Sequence, residues 1–184
     1  MEHKYSIAFI PDAIIIEEVK KMKLQLAYEI GWYNSKNSLA HITICEFTST
    51  EIEITKKQVD RITASFSPFD VELVDFDSYS NGAFFIKPSE KSKEDLKKIM
   101  KNLTASLTIK KMYKSSEPHL SIARKLDDTK LKIASDLFQK IELFFFCDRV
   151  FLRKFNPELK QFDVIDSFLF KGEKSTHIIQ GSLF

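Results

Sequence analysis

The chain is poor in the residues that build linkers and crosslinks. Its 184 residues include four Gly and five Pro, which leaves little room for long flexible segments. The two cysteines, Cys45 and Cys147, form no CxxC pair and no zinc-ligand spacing. Each sits in an apolar run and reads as a small buried residue in a reducing compartment. No apolar run approaches membrane-spanning length; Leu143–Cys147 is far too short. The first residues, MEHKYSIAFIPD, hold no apolar segment of signal-peptide length before an acidic residue. A cytoplasmic protein without membrane contact is therefore expected. Net charge is +2, which excludes a protein that coats nucleic acid through bulk charge. No compact carboxylate cluster suggests a two-metal site, and His41 with Cys45 fails as a zinc pair, since four strand positions separate them by ~13 Å. Neither a metal nor a cofactor is expected.

What is present is a core for one domain or two closely packed lobes. Hydrophobic residues are 43% and charged residues 29%, and the seventeen Phe imply an aromatic-rich interior. Charge is unevenly spread. Residues 46–77 carry eight acids against three bases, and residues 87–114 carry nine lysines against three acids. Most of those lysines read as a solvated helix face. Lys110, Lys111 and Lys114 precede a histidine and are better placed to steer a phosphate.

Only four histidines occur, and two of them share a frame. Residues 40–47 read AHITICEF and residues 118–125 read PHLSIARK. Each holds His, an aliphatic residue, Thr or Ser, and another aliphatic residue. At ordinary usage a given His meets this pattern in roughly one case in a hundred. His3 and His177 lack it.

The spacing around the two copies also repeats. Tyr5–Pro11 reads as a strand and Asp12–Ile30 as a helix, with Ile15, Val19, Met22, Leu26 and Ile30 at helical spacing and Gly31 as its stop. A polar loop at 32–38 leads to a motif strand, Leu39–Phe47. Thr50 and Glu53 form a capping-box pattern for a helix reaching about Phe66. Phe69–Phe76 alternates as a strand before a turn at Ser80-Asn81-Gly82. The order then restarts: strand Ala83–Pro88, helix Ser89–Leu107, the polar loop KKMYKSSEP, and motif strand His119–Leu126. Asp127 or Asp128 caps a helix ending near Ile141. Leu143–Phe155, bent near Cys147-Asp148, and Phe162–Phe170 follow as strands, and Ile178-Ile179 reads as a short one. Two duplicated lobes, approximate repeats 5–80 and 83–170, are expected within one domain spanning 1–184. Facing each other about an approximate two-fold axis, they would put His41 and His119 on opposite walls of one groove.

Alternation along a strand puts His41 and Thr43 on one face, and His119 and Ser121 likewise. Imidazole has an unperturbed pKa of ~6.5, so one His can be neutral while the other is protonated. That pair can take a proton from a nucleophile and give one to a leaving oxygen. The Thr43 and Ser121 hydroxyls can hold non-bridging oxygens as charge develops. Phosphodiester cleavage without a metal fits best. Which imidazole is acid and which is base is open at this stage.

The motifs HITI and HLSI resemble the paired H-x-[T/S] signatures of the two-histidine (2H) phosphoesterase superfamily. Phe47, Pro118, Ala123 and Arg124 around them are similar to its 2′-5′ RNA ligase-like, RNA 2′,3′-cyclic phosphodiesterase branch. The resemblance implies an α+β bilobal fold: two pseudo-two-fold-related antiparallel sheets, helices on the outer faces and a central cleft. It implies His41 and His119 as catalytic residues and Thr43 and Ser121 as phosphate-binding residues. It also implies metal-independent action on RNA 2′,3′-cyclic phosphate ends or 2′-5′ linkages. The partners implied are RNA ends or a small nucleotide, and a monomer suffices for a two-sided cleft. Further candidate substrate contacts are Arg124, Tyr33, Tyr113 and Phe151. Arg124 falls on the wrong face under strict alternation, unless the strand bulges. Tyr33, Trp32 and Tyr113 lie in the loops before the motifs and are as able to fasten those loops onto the core as to stack a base. Glu46 would disfavour long RNA. Phe151, Arg153 and Phe155 share one face of a late strand, which could line the groove for a base but in a Phe-rich chain is better read as core packing. Two alternatives stand beside the main reading: a nucleotide- or RNA-end-binding module without turnover, and a phosphodiesterase for a small non-RNA cyclic phosphate.

Overall fold

A computed structural model describes residues 2–173; the expected strand at Ile178-Ile179 lies outside them. Local chemistry sets most element boundaries. β1 (His3–Phe9) leads to α1 (Ala13–Ile30). Asp12 opens α1 by accepting from the Ile14 and Ile15 N–H groups, and Gly31 closes it at φ +75°. The buried stripe of α1 is Ile15, Val19, Lys23 and Leu26, so a lysine occupies a core position. β2 (Ile42–Ser49) precedes α2 (Ile52–Thr63). The expected capping box of Thr50 and Glu53 is not formed: Glu51 is the N-cap residue, without a side-chain cap bond, and the Ser49 hydroxyl instead takes the Glu51 N–H. β3 (Phe69–Tyr79) turns at Gly82 into β4 (Ala83–Pro88). Ser89 caps α3 (Glu90–Ser106).

The second half then adds β5 (Met112–Lys114), β6 (Leu120–Ala123) and α4 (Asp128–Leu137), with Asp127 as the cap. β7 (Leu143–Cys147), β8 (Arg149–Asn156) and β9 (Gln161–Leu169) complete the described strands. The expected single bent strand at 143–155 is two strands. They part at Asp148 and run to opposite halves of the sheet: β7 pairs β3, and β8 pairs β1 and β9. β5 forms inside what reads as a loop in sequence, because β2 offers it an edge.

The architecture is α+β, with four helices and a curled antiparallel sheet ordered β7-β3-β4-β6-β2-β1-β8-β9. The two expected sheets are the halves β7-β3-β4-β6 and β2-β1-β8-β9. They meet where the motif strands are neighbours, at the pair Ile42 and Leu120. Each sequence repeat contributes to both halves: β3 of the first repeat pairs with β4 and β7, while β8 of the second pairs with β1. Ile42, Ile44, Leu120 and Ile122 are fully buried and anchor the junction in the core. Burial of each such aliphatic contributes about 1.5–3 kcal/mol. Aromatics fill much of the rest, as in the stack of Phe76, Phe84 and Phe138.

Candidate active site

The junction of the halves assembles the motif side chains. Ile42 pairs antiparallel with Leu120, so each histidine lies one residue before this pair and each hydroxyl one residue after it. The two histidines and the two hydroxyls thus surround one junction of neighbouring strands.

Both imidazoles are held in the same way. His41 Nδ1 bonds the Leu39 carbonyl at 2.6 Å, and His119 Nδ1 bonds the Glu117 carbonyl at 2.9 Å. In each case the acceptor lies two residues earlier. Nδ1–H donating to a carbonyl leaves Nε2 as the free, proton-accepting nitrogen of the neutral ring. Ser121 is buried and Thr43 half-buried, and neither hydroxyl makes a side-chain hydrogen bond within the described residues.

A β-bulge follows each motif at the corresponding place. On β2, Thr43 pairs with Ala8 and Cys45 with Ile7, so Ile44 is the extra residue. On β6, Ser121 pairs with Phe85 and Ala123 with Phe84, so Ile122 is the extra residue. A one-residue bulge resets the alternation of faces. It brings Glu46 onto the face of His41 and Thr43, and Arg124 onto the face of His119 and Ser121. Arg124 therefore joins the cluster. Its backbone is pinned by a bridge to Asn34, from the loop before the first motif. Tyr113, from the loop before the second, pairs with Glu46. Each pre-motif loop thus braces the strand of the other half.

Cations dominate the surroundings. His41 is pushed well below its ordinary pKa, first by burial and then by the charge of Arg153, with Arg124 and Lys23 adding to it; the Leu39 carbonyl opposes them. His119 is also lowered, chiefly by burial, but the Glu117 carbonyl and carboxylate favour its protonated form. That carboxylate is itself held by Lys93 and Lys97 of α3. Lys23 is buried, with its ammonium donating to the Ser35 and Ser38 carbonyls and the Ser38 hydroxyl. Desolvation lowers its pKa to about 8. Lys23 fastens the 35–38 loop whose continuation, Leu39, orients His41.

The further sequence candidates divide. Phe151 pairs with Ala8 and shares the face of Thr43, half-exposed beside the cluster. Tyr113 is exposed, as are Trp32, Lys110, Lys111 and Lys114. Tyr33 is buried, and its hydroxyl donates to the Lys23 carbonyl at 3.0 Å. It fastens its loop onto the core, the second of the two roles open to it in sequence, and is not available to a substrate. Sequence reasoning missed Phe85 and Tyr79, whose rings lie 4.7 and 5.7 Å from that of His119. Their signal was faint: only the register of β4 against β6 puts them there. Arg153, read as core from its Phe neighbours, is buried but faces the cluster.

The sequence matches the family model for the 2′-5′ RNA ligase superfamily over residues 10–158. The chain belongs to that superfamily of two-histidine phosphoesterases. Its fold is similar to TT0787 of Thermus thermophilus, with TM-score 0.68 and 15% identity, covering 93% of this chain and 100% of that one. It is also similar to E. coli LigT complexed with 3′-AMP (TM-score 0.62, 10% identity, 92% of this chain and 98% of that one). Usb1 of Kluyveromyces marxianus with uridine monophosphate gives TM-score 0.51 and 12% identity over 90% of this chain and 97% of that one. A comparison with curated protein sequences returned no match. Among the described residues no helix is long and apolar enough to cross a membrane.

Proposed function

We propose that this 2H phosphoesterase cleaves phosphodiesters at RNA ends, opening 2′,3′-cyclic phosphates or cleaving 2′-5′ linkages, with His41 and His119 as its acid–base pair. The observation that carries the reading is the junction itself: two carbonyl-oriented imidazoles and two hydroxyls flank the pair Ile42 and Leu120. In this reading the phosphate lies across the pair Ile42 and Leu120. The Thr43 and Ser121 hydroxyls donate to its non-bridging oxygens, and Arg124 adds a charge that both imidazoles sense. One neutral Nε2 takes a proton from the attacking water, and the other, protonated, gives one to the departing sugar oxygen. The assignment exchanges between the forward and reverse directions. Nucleotide ligands in the LigT and Usb1 structures support a nucleotide-sized substrate. One chain supplies all four groups, so the reading needs no second subunit.

The test is a panel in chelator: a nucleoside 2′,3′-cyclic phosphate, a 2′-5′-linked dinucleotide and a cyclic phosphate lacking a base. Turnover of the first two, but not the third, is expected. Binding of nucleotide monophosphates with no turnover of any member would instead favour a binding module. Turnover of only the base-free compound would favour a small-metabolite phosphodiesterase.

A further inference from the structure

Arg153 is a buried cation without a buried anion to match it. It is 2% exposed, and its Nη2 donates to the Ser6 hydroxyl at 2.7 Å. Its Nε is sealed from solvent and has no partner, alone among buried side-chain nitrogens and oxygens of the described residues. It forms no ion pair among the described residues: Glu46, the acid on the same face, holds Lys4 at 2.6 Å instead. The Phe162 ring lies over the guanidinium at 5.2 Å. Burying a guanidinium on one hydrogen bond is costly, and an apolar side chain of similar volume would serve packing better. Burial lowers its pKa to about 10, against the pull of Glu46.

Its position says what the charge is for. Thr43, Ala8 and Phe151 form one row across β2, β1 and β8, and Glu46, Ser6 and Arg153 form the next. Arg153 is therefore two strands across and two residues along from Thr43, about 12 Å between Cα atoms. An extended arginine spans part of that distance. Its charge reaches the site: after burial it is the largest influence lowering the pKa of His41. The corresponding position in the other half, beside His119, is Tyr79, paired with Ala83 as Arg153 is with Ser6. One half thus carries a buried cation where the other carries an aromatic ring.

We propose that Arg153 is a specificity residue, binding a second anionic group, a phosphate that flanks the one held by Thr43 and Ser121. The proposal rests on the phosphodiesterase reading for the placement of the first phosphate. It selects substrates that carry another phosphate next to the reacting one, such as an RNA end, over a lone nucleoside cyclic phosphate.

Calorimetric titration of wild type and Arg153→Met with adenosine 2′-monophosphate and adenosine 2′,5′-bisphosphate tests it without turnover. Wild type is expected to bind the bisphosphate about tenfold more tightly. Arg153→Met is expected to lose that preference while melting no lower than wild type, since a costly charge is removed. Arg153→Lys, which keeps charge and stem, is expected to retain part of it even if the Met variant does not fold. Equal affinity of wild type for both ligands, or a preference left intact in both variants, overturns the proposal. A wild type that binds both ligands but opens no cyclic phosphate overturns the phosphodiesterase reading alone; one that binds neither overturns both.

Discussion

The two histidines are chemically alike and electrostatically unequal. Both donate Nδ1–H to the carbonyl two residues earlier, and both are pushed below the ordinary imidazole pKa by burial. Arg153, Arg124 and Lys23 crowd His41, whereas Glu117 favours protonation of His119. Below both pKa values both rings are charged and none can accept a proton. Above both, none can donate. The proposed reaction needs one of each, and kcat/KM follows the free enzyme, so a bell-shaped profile with its optimum on the acidic side of about 6.5 is expected. Initial rates at saturating and limiting substrate across pH 4.5–8.5 check it; an optimum above pH 7 would contradict the surroundings assigned to these rings. Sequence alone yielded the four motif residues, because a histidine and a hydroxyl two apart on a strand must share a face. It left Arg124 and Arg153 undecided, because faces beyond the motif depend on bulges and on partner strands that no local pattern encodes.

Helices and turns were the easiest elements to read. Asp12, Ser89 and Asp127 cap the helices they precede in sequence, and Gly31 stops α1. Strand partnership was harder. One apolar run, 143–155, is two strands in opposite halves of the sheet, and β5 exists only because the edge of β2 receives it. The turn between β3 and β4 is legible in Ser80-Asn81-Gly82, but its role is not. Gly82 has φ +80°, its carbonyl takes the Leu126 N–H at 2.9 Å, and an added Cβ would lie 2.1 Å from the Leu126 oxygen. Gly82 therefore binds the β3–β4 turn to the end of the second motif strand. Gly82→Ala is expected to cost about 3 kcal/mol, through the left-handed backbone and the clash together. A denaturant midpoint equal to wild type would show that the turn and Leu126 do not meet as described.

At the scale of the molecule, the site is a product of the arrangement of halves. Corresponding bulges at Ile44 and Ile122, corresponding carbonyl bonds to the imidazoles, and loops that each brace the other half's motif strand all relate the two repeats. We propose that the correspondence reflects an internal duplication of approximate repeats 5–80 and 83–170. Strand exchange between the halves means that neither repeat carries a complete half-sheet, and the two histidines come together only in the whole chain. Catalysis by such a pair is a joint property. Each single loss is expected to remove most of the rate, about a thousandfold, and the second loss to add little. The most direct test measures hydrolysis of a nucleoside 2′,3′-cyclic phosphate in chelator by wild type, His41→Ala, His119→Ala and the double variant. Turnover by wild type, with each single variant nearly as slow as the double, is the predicted result. Activity that vanishes in chelator and returns with added metal, or that survives loss of either histidine, would contradict the account.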